Sequence, residues 1–159
     1  METTVEDFWR MIVEHNICTM VQLSADDGPG GRSPTIDLTG SADKNGGKFK
    51  YWPVSDTPAS ETDYGAMKVT LISKESLPSY IKREFTVYNA KTEEEVHLSH
   101  FAYSGWNSKS KIGAVSPSAG EESDEKMPES TYGLLDLVEH AMAHKIEASL
   151  PGPIAVHCK

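Results

Sequence analysis

The stretch MKVTLISKESLPSYIKREFTVYNAKTEEEVHLSHFAY, residues 67–103, carries three apolar runs separated by short polar turns. The runs are MKVTLIS at 67–73, YIKREFTVY at 80–88 and VHLSHFAY at 96–103. In the last two runs apolar and polar residues alternate, with Arg83 and His100 as polar exceptions on the apolar side. Alternation is typical of strands with one buried face, and short turns join antiparallel neighbours. The stretch therefore predicts an antiparallel portion of a β-sheet.

The residues before this stretch predict a helix followed by a strand. Over about residues 4–15, apolar side chains recur every three to four positions, which is typical of an amphipathic helix. The run ICTMVQL at 17–23 is apolar and rich in residues that favour strands, so it predicts a buried strand after a short connection. A helix that leads directly into a strand indicates an α/β arrangement.

After Pro128 the sequence predicts a second helix and a last strand. Ser130 is a suitable N-cap for this helix. Six residues are expected on its apolar face: Leu134, Leu135, Leu137, Val138, Ala141 and Met142. The prolines of PGP at 151–153 end the helix, and IAVHC at 154–158 predicts a short buried strand. The predicted fold class is α/β, or α+β-like, with a twisted mixed β-sheet flanked by helices.

Composition narrows the class of protein. The chain has 159 residues, of which 38% are hydrophobic, and this is enough for one core and one domain. Its 15 Lys and Arg against 24 Asp and Glu give a net charge of −9, which argues against a nucleic-acid partner. No stretch reaches the roughly 20 apolar residues of a membrane helix. Two cysteines are too few for a disulfide-built scaffold, so the expected location is cytoplasmic.

Two segments have the composition of loops. Residues 24–47 are rich in Asp, Gly, Pro and Ser, which is turn chemistry and predicts a long exposed connection. Residues 107–126 are rich in Ser, Gly and acidic residues and show no apolar periodicity. That composition is typical of disorder.

Histidines and serines suggest two chemistries, neither of which the spacing supports. His140 and His144 have the i, i+4 spacing that lets two imidazoles share a metal ion. His97 and His100 lie close together on a predicted strand. No third ligand is specified, so no metal site is predicted. A serine nucleophile would need an elbow such as Gly-x-Ser-x-Gly, which is absent from the sequence.

The strongest candidate site is GPIAVHCK at 152–159, where an apolar strand ends in His157 and Cys158. In open α/β sheets, ligands bind at the carboxyl ends of strands. A cysteine at this place is an effective nucleophile when a helix N-terminus and backbone amides stabilise its thiolate. Taken alone, the cysteine is better interpreted as a small buried apolar residue, because a free cysteine is commonly just that.

Seven segments, in order along the chain, resemble the catalytic domain of the classical protein-tyrosine phosphatases. They are DFWRM at 7–11, ICTMVQL at 17–23, KYWP at 50–53, YIKREFTV at 80–87, HFAYSGW at 100–106, MPESTYGLLDLVEH at 127–140 and GPIAVHC at 152–158. The last segment is similar to the strand that leads to the family's His-Cys-x5-Arg sequence. The resemblance implies the protein-tyrosine phosphatase fold over residues 1–159, as a partial domain.

The resemblance also implies a reaction, which is hydrolysis of phosphotyrosine in proteins through a phosphocysteine intermediate, without a cofactor. Cys158 stands at the position of the nucleophile. His157 stands at the neighbouring histidine, which helps to set the environment of the nucleophile in the substrate-binding site. The implied partners are phosphotyrosine-containing proteins. The implied location is the cytoplasm, or the cytoplasmic part of a membrane receptor.

The general acid is harder to align. In the family it is the aspartate of a Trp-Pro-Asp loop, whereas an asparagine and a serine follow Trp106 in this chain. Counting back from MPES at 127–130, the resemblance places Asp124 at the position of the acid. Residues 107–123 are then expected to form a disordered insertion within the loop.

The phosphate-binding loop departs further from the family. There the cysteine begins a loop whose amides and final arginine hold the phosphate, whereas only Lys159 follows Cys158 in the sequence given. A lysine does not reproduce a bidentate guanidinium. We therefore expect no significant catalysis from the chain as given. Two alternatives stay open, a pseudophosphatase that binds a phosphoprotein or another partner without chemistry, and a structural remnant without a ligand.

Overall fold

The computed structural model describes residues 2–23, 51–53, 55, 57–105 and 131–158. Its elements, in chain order, are α1 Glu2–Glu14, β1 Thr19–Gln22, β2 Glu61–Tyr64, β3 Met67–Ser76, β4 Tyr80–Asn89, β5 Glu94–Tyr103, α2 Thr131–Glu147 and β6 Ile154–His157. Both predicted helices and the strands predicted around β1, β3, β4, β5 and β6 are confirmed. The predicted loop at 24–47, the insertion at 107–123 and the N-cap Ser130 lie outside the described residues. Neither described helix is long and apolar enough to cross a bilayer.

The strands form one mixed sheet in the order β2-β3-β4-β5-β1-β6. Strands β3 to β5 pair antiparallel, as the stretch at 67–103 predicts, and β2 pairs antiparallel with β3. Strand β1 lies parallel to β5 on one side and to β6 on the other. The predicted α/β class, a mixed sheet with helices packed against it, is confirmed.

The sequence pattern does not predict β2. This strand, ETDY, lies at one edge of the described sheet and pairs there with β3. Its side chains are exposed or half-buried, and the Glu61 carboxylate accepts a hydrogen bond from the Lys68 ammonium at 3.0 Å. An edge strand of this kind buries too little apolar surface to require alternation in its sequence.

Two hydrophobic clusters lie on opposite faces of the sheet. The cluster on the α1 side contains Trp9 and Ile12 together with Met20 of β1. The cluster on the α2 side contains Leu137 together with Val21, the next residue of β1. Because successive strand residues point to opposite faces, the sheet lies between the two helices.

The predicted apolar face of α2 is wrong for half of its residues. The helix contacts the sheet through Gly133, Leu137 and Ala141, which recur every four positions. Three others, Leu135, Val138 and Met142, are 59%, 41% and 51% exposed. Apolar side chains occur around most of this helix, so the sequence does not reveal which of them face the sheet.

The prediction of a buried last strand is also wrong. Strand β6 is half-buried for most of its length, and Val156 is 61% exposed. The strand pairs only with β1 among the described residues, so one of its edges is open there. An apolar composition therefore does not guarantee burial on both faces.

Helix α1 ends in a backbone motif that also positions the approach to β6. Asn16 adopts a left-handed conformation (φ 49°), and the amide of Ile17 donates to the carbonyl of Ile12 at 2.9 Å. This is a Schellman motif with asparagine in the usual place of glycine. Gly152 (φ +70°) packs against it so closely that a Cβ would lie 2.1 Å from the carbonyl oxygen of Asn16. The end of α1 thus sets the path of the chain into β6.

Helix α2 ends in the same way. Ser149 is left-handed (φ 49°), and the amide of Leu150 donates to the carbonyl of Lys145 at 3.0 Å. The Lys145 ammonium donates in turn to the carbonyl oxygens of Leu150 and Gly152. A cation at this helix end also interacts favourably with the helix dipole.

We expect Gly152→Ala to lower the free energy of unfolding by at least about 2 kcal/mol, because it adds left-handed strain and a clash with Asn16. Urea denaturation followed by circular dichroism measures this. Ser149→Gly in the same loop is the matched control. It should leave stability unchanged or raise it by up to about 1 kcal/mol, because glycine adopts φ > 0 without steric cost. Equal effects of the two variants would contradict this account.

A network of hydrogen-bonded side chains joins α2 to the sheet. The Ser99 hydroxyl donates to a Glu84 oxygen at 2.7 Å and lies 2.7 Å from Nε2 of His144. Because a hydroxyl has one proton, Nε2 of His144 must carry a hydrogen and donate it to Ser99. Lys82 lies 2.8 Å from the other Glu84 oxygen. This network thus links β4, β5 and α2.

Ser99→Ala should destabilise the protein by about 1–3 kcal/mol, because it leaves Glu84 and His144 without their common partner. Combined with His144→Ala, it should show a coupling energy of at least about 0.5 kcal/mol in a double-mutant cycle. The exposed Ser76→Ala serves as the control and should stay within about 0.5 kcal/mol of the parent. Strictly additive effects of Ser99→Ala and His144→Ala would contradict the shared hydrogen bond.

Candidate active site

Parallel pairing of β1 and β6 brings the candidate nucleophile to one edge of the fold. Gln22 of β1 is in register with His157 of β6. The amide of Leu23 donates to the carbonyl of His157 at 3.0 Å, so the pairing extends to the last residue of β6. Cys158 follows at once and is exposed. The structure therefore places the His-Cys pair at the carboxyl end of two parallel strands, as predicted.

The second cysteine has a different environment. Cys18 precedes β1 and is buried in the cluster beneath α1. Burial raises the pKa of the Cys18 thiol, and the nearby Lys145 ammonium offsets part of this effect. A buried thiol with a raised pKa is a poor nucleophile. The interpretation as a small buried residue therefore fits Cys18, whereas Cys158 is accessible.

The imidazole of His157 is held by a tyrosine from a distant part of the chain. Its Nε2 lies 2.5 Å from the hydroxyl of Tyr51, and its Nδ1 lies 3.4 Å from the carbonyl oxygen of Cys158. Burial is the larger influence on the pKa of His157 and lowers it below its usual 6.5, against a smaller opposing effect of the Cys158 carbonyl. The ring is therefore neutral at neutral pH.

These contacts determine the tautomer of His157. A carbonyl oxygen can only accept, so Nδ1 carries the hydrogen and donates toward Cys158. Nε2 is then the acceptor, and the Tyr51 hydroxyl donates to it. The histidine thus connects Tyr51 to the backbone of the candidate nucleophile.

Helix α1 holds Tyr51 in place. The indole N–H of Trp9 donates to the Tyr51 carbonyl at 2.8 Å, and Trp9 itself is 0% exposed. The Phe8 ring meets the Tyr51 ring at 4.9 Å between centroids, with the planes inclined by 64°. Edge-to-face contacts of this kind are favoured by the charge distribution of aromatic rings.

The residue after Tyr51 is anchored on the sheet. The Trp52 ring lies 5.0 Å from the guanidinium carbon of Arg83 and 5.5 Å from the His100 ring. Arg83 and His100 are in register on β4 and β5, and both are 0% exposed. The two exceptions in the sequence alternation therefore belong to the buried face. A cation over an aromatic face helps to explain how the guanidinium tolerates burial there.

The four histidines considered as metal ligands each make other contacts in the fold. His100 is buried beneath Trp52, whereas the side chain of His97 is 79% exposed. His140 bonds within α2 to the carbonyl oxygen of Asp136 at 2.8 Å, and His144 binds Ser99 as described above. Within the described ranges, no group of three or more His, Cys, Asp or Glu side chains could hold a metal ion.

The site combines residues that sequence reasoning identified with others that it missed. His157 and Cys158 were expected from the strand that precedes them, whereas Asp124 lies outside the described residues. Tyr51 and Phe8 were noted only within matching segments and not as supports of His157. No sequence signal could link them, because Tyr51 and His157 are 106 positions apart.

Comparison with known proteins identifies the family. A family model described as protein-tyrosine phosphatase matches residues 1–159. The chain is 30% identical over 162 residues to tyrosine-protein phosphatase 69D of Drosophila melanogaster, a match that covers 99% of this chain and 9% of the relative. It is 30% identical over 169 residues to a receptor-type tyrosine-protein phosphatase of Caenorhabditis elegans, covering 99% of this chain and 10% of the relative.

A non-receptor relative shows the same pattern. The chain is 27% identical over 158 residues to human tyrosine-protein phosphatase non-receptor type 7, covering 99% of this chain and 33% of the relative. The chain thus spans a third or less of the length of these three relatives. These matches and the family model agree with the seven segments that resemble the family in the same order. The chain belongs to the protein-tyrosine phosphatase family.

Proposed function

We propose that this domain hydrolyses phosphotyrosine in proteins, with Cys158 as the nucleophile. The observation that carries the proposal is the exposed Cys158 directly after β6, next to an imidazole that Tyr51 holds in one tautomer. Family membership supports the reaction type. The buried Cys18 offers no comparable access.

The proposed reaction has two steps. The Cys158 thiolate attacks the phosphorus, the bond from phosphorus to the tyrosyl oxygen breaks, and a general acid protonates that oxygen. Water then attacks the phosphocysteine, the P–S bond breaks, and inorganic phosphate leaves. Asp124 is the proposed acid in the first step and base in the second. This assignment rests on its position relative to MPES in the sequence.

His157 has a supporting role in this proposal. Its Nδ1–H points to the carbonyl oxygen of Cys158, and its Nε2 accepts from Tyr51. The ring therefore restrains the backbone from which the nucleophile projects. A neutral imidazole is required for this arrangement, because a protonated Nε2 could not accept from Tyr51.

The proposed partners are phosphotyrosine-containing proteins in the cytoplasm. The domain would act on them either as part of a cytosolic enzyme or as the cytoplasmic part of a receptor. Relatives named as receptor-type and as non-receptor phosphatases are both similar to this chain. A net charge of −9 disfavours nucleic acid as a partner.

A second candidate function is binding without turnover. The phosphate-binding loop of the family ends in an arginine, and a polypeptide cut after Lys159 does not contain that position. We propose that a polypeptide limited to residues 1–159 has little phosphatase activity of its own. Such a domain could still bind a phosphoprotein as a pseudophosphatase.

An activity assay tests Cys158 as the nucleophile, and a binding assay tests the second candidate function. With p-nitrophenyl phosphate and a phosphotyrosine peptide, we expect the polypeptide of residues 1–159 to release phosphate no faster than its Cys158→Ser variant. Turnover that Cys158→Ser abolishes and Cys18→Ser retains would contradict this expected inactivity and support Cys158 as the nucleophile. Turnover that survives Cys158→Ser would refute the assignment of Cys158. Calorimetric binding of the phosphopeptide, but not of its unphosphorylated form, would favour the pseudophosphatase.

The lowered pKa of His157 predicts a pH dependence of stability. In the unfolded chain the imidazole of His157 takes up a proton near pH 6.5, whereas in the folded protein it does so only at lower pH. The free energy of unfolding should therefore fall as the pH drops from about 7 through the folded-state pKa of His157. Urea titrations over this range measure the slope.

The matched variants for this measurement are His157→Gln and Cys158→Ser. His157→Gln should flatten the slope, because the group whose pKa differs between the two states is gone. Cys158→Ser keeps the imidazole and the Cys158 backbone carbonyl position, so its slope should equal that of the parent. An unchanged slope in His157→Gln would show that other groups dominate the dependence.

A further inference from the structure

Phe8 contacts both partners of the hydrogen bond that holds His157. Its ring lies 4.9 Å from the Tyr51 ring and 6.1 Å from the His157 ring, inclined to them by 64° and 71°. Both contacts are edge-to-face, the arrangement that aromatic pairs favour. Among the described residues, Phe8 is the one whose ring contacts both Tyr51 and His157, and these two rings also contact each other.

The burial of Phe8 differs from that of its neighbour. Trp9 is fully buried in the core, whereas Phe8 is half-buried at the edge of the same cluster. The half-buried Phe8 ring lies beside both partners of the hydrogen bond between Tyr51 and His157. Water competes for such a bond wherever it has access.

We infer that Phe8 is a positioning residue, whose ring keeps His157 bound to Tyr51 and so orients the backbone that presents Cys158. This inference rests on the proposed role of Cys158 as a nucleophile. Phe8 touches neither the nucleophile nor a substrate in this account. It acts through His157, by excluding water and by limiting rotation of the imidazole.

The surroundings of His157 make its titration a suitable probe. The ring faces Phe8 from α1 and the Tyr51 hydroxyl from the 51–53 segment, and it is in register with the neutral Gln22 on β1. Within the described residues, no carboxylate or ammonium group forms an ion pair with this imidazole. The main cause of its lowered pKa is burial, to which an overlying ring contributes.

The test is an NMR titration of the His157 ring in the full chain and in Phe8 variants. Phe8→Ala should move the pKa of His157 upward toward its ordinary value, because water gains access to the ring. Phe8→Leu retains apolar volume, should move it less, and provides a folded variant if Phe8→Ala does not fold.

Leu137→Ala is the matched control. Leu137 is fully buried, but it lies in the cluster on the opposite face of the sheet. This variant should lose stability and leave the titration of His157 unchanged. If both Phe8 variants lose stability while His157 titrates as in the parent, Phe8 only fills space and the inference is overturned. The titration needs no turnover, so its outcome is independent of whether residues 1–159 show phosphatase activity.

Discussion

The architecture depends on β1, a four-residue strand that is buried along its whole length. Strands β5 and β6 pair with its two edges, and hydrophobic clusters on the α1 and α2 sides cover its two faces. This strand joins the antiparallel part of the sheet to the parallel part. A shift of β6 by one residue along β1 would turn His157 to the other face, away from Tyr51. The register of one short strand pair therefore determines whether the candidate site exists.

Packing and hydrogen bonding reinforce each other at His157. Burial by neighbouring rings lowers its pKa, and the neutral ring can then accept from Tyr51 while donating toward Cys158. The residues that hold this imidazole come from three separate places in the chain, namely α1, the Tyr-Trp-Pro segment at 51–53 and β6. The side chains that hold the imidazole are themselves packed, which restricts its orientation.

Arg83 and His100 show how a departure from a simple pattern can mark a supporting position. Both interrupt an apolar alternation, yet both lie on the buried face, opposite each other and under Trp52. The strands thus accept polar side chains where the Tyr-Trp-Pro segment docks. Local rules are commonly broken near functional sites, and here the break lies beneath Trp52, next to the tyrosine that binds His157.

Local periodicity was sufficient to predict α1, β4 and β5, because it reports directly which side of an element is buried. The apolar run of β3 and the short polar turns were sufficient to predict the antiparallel order of β3 to β5. The order of seven short segments was sufficient to predict the family. The edge strand β2 was not predicted, because it has only four residues, two of them charged and none fully buried.

Only the tertiary structure decided which residues of α2 face the sheet, how exposed Val156 is, and that Tyr51, Phe8 and His157 meet. The rotation of a helix on a sheet depends on close approach at residues such as Gly133, whose Cβ would lie 3.2 Å from the Ser79 hydroxyl. The contact between Tyr51 and His157 joins residues that are more than a hundred positions apart. The sequence by itself determined the family and the described elements other than β2, because these follow from neighbouring residues. The site needed the fold, because its contacts arise from the packing of distant elements.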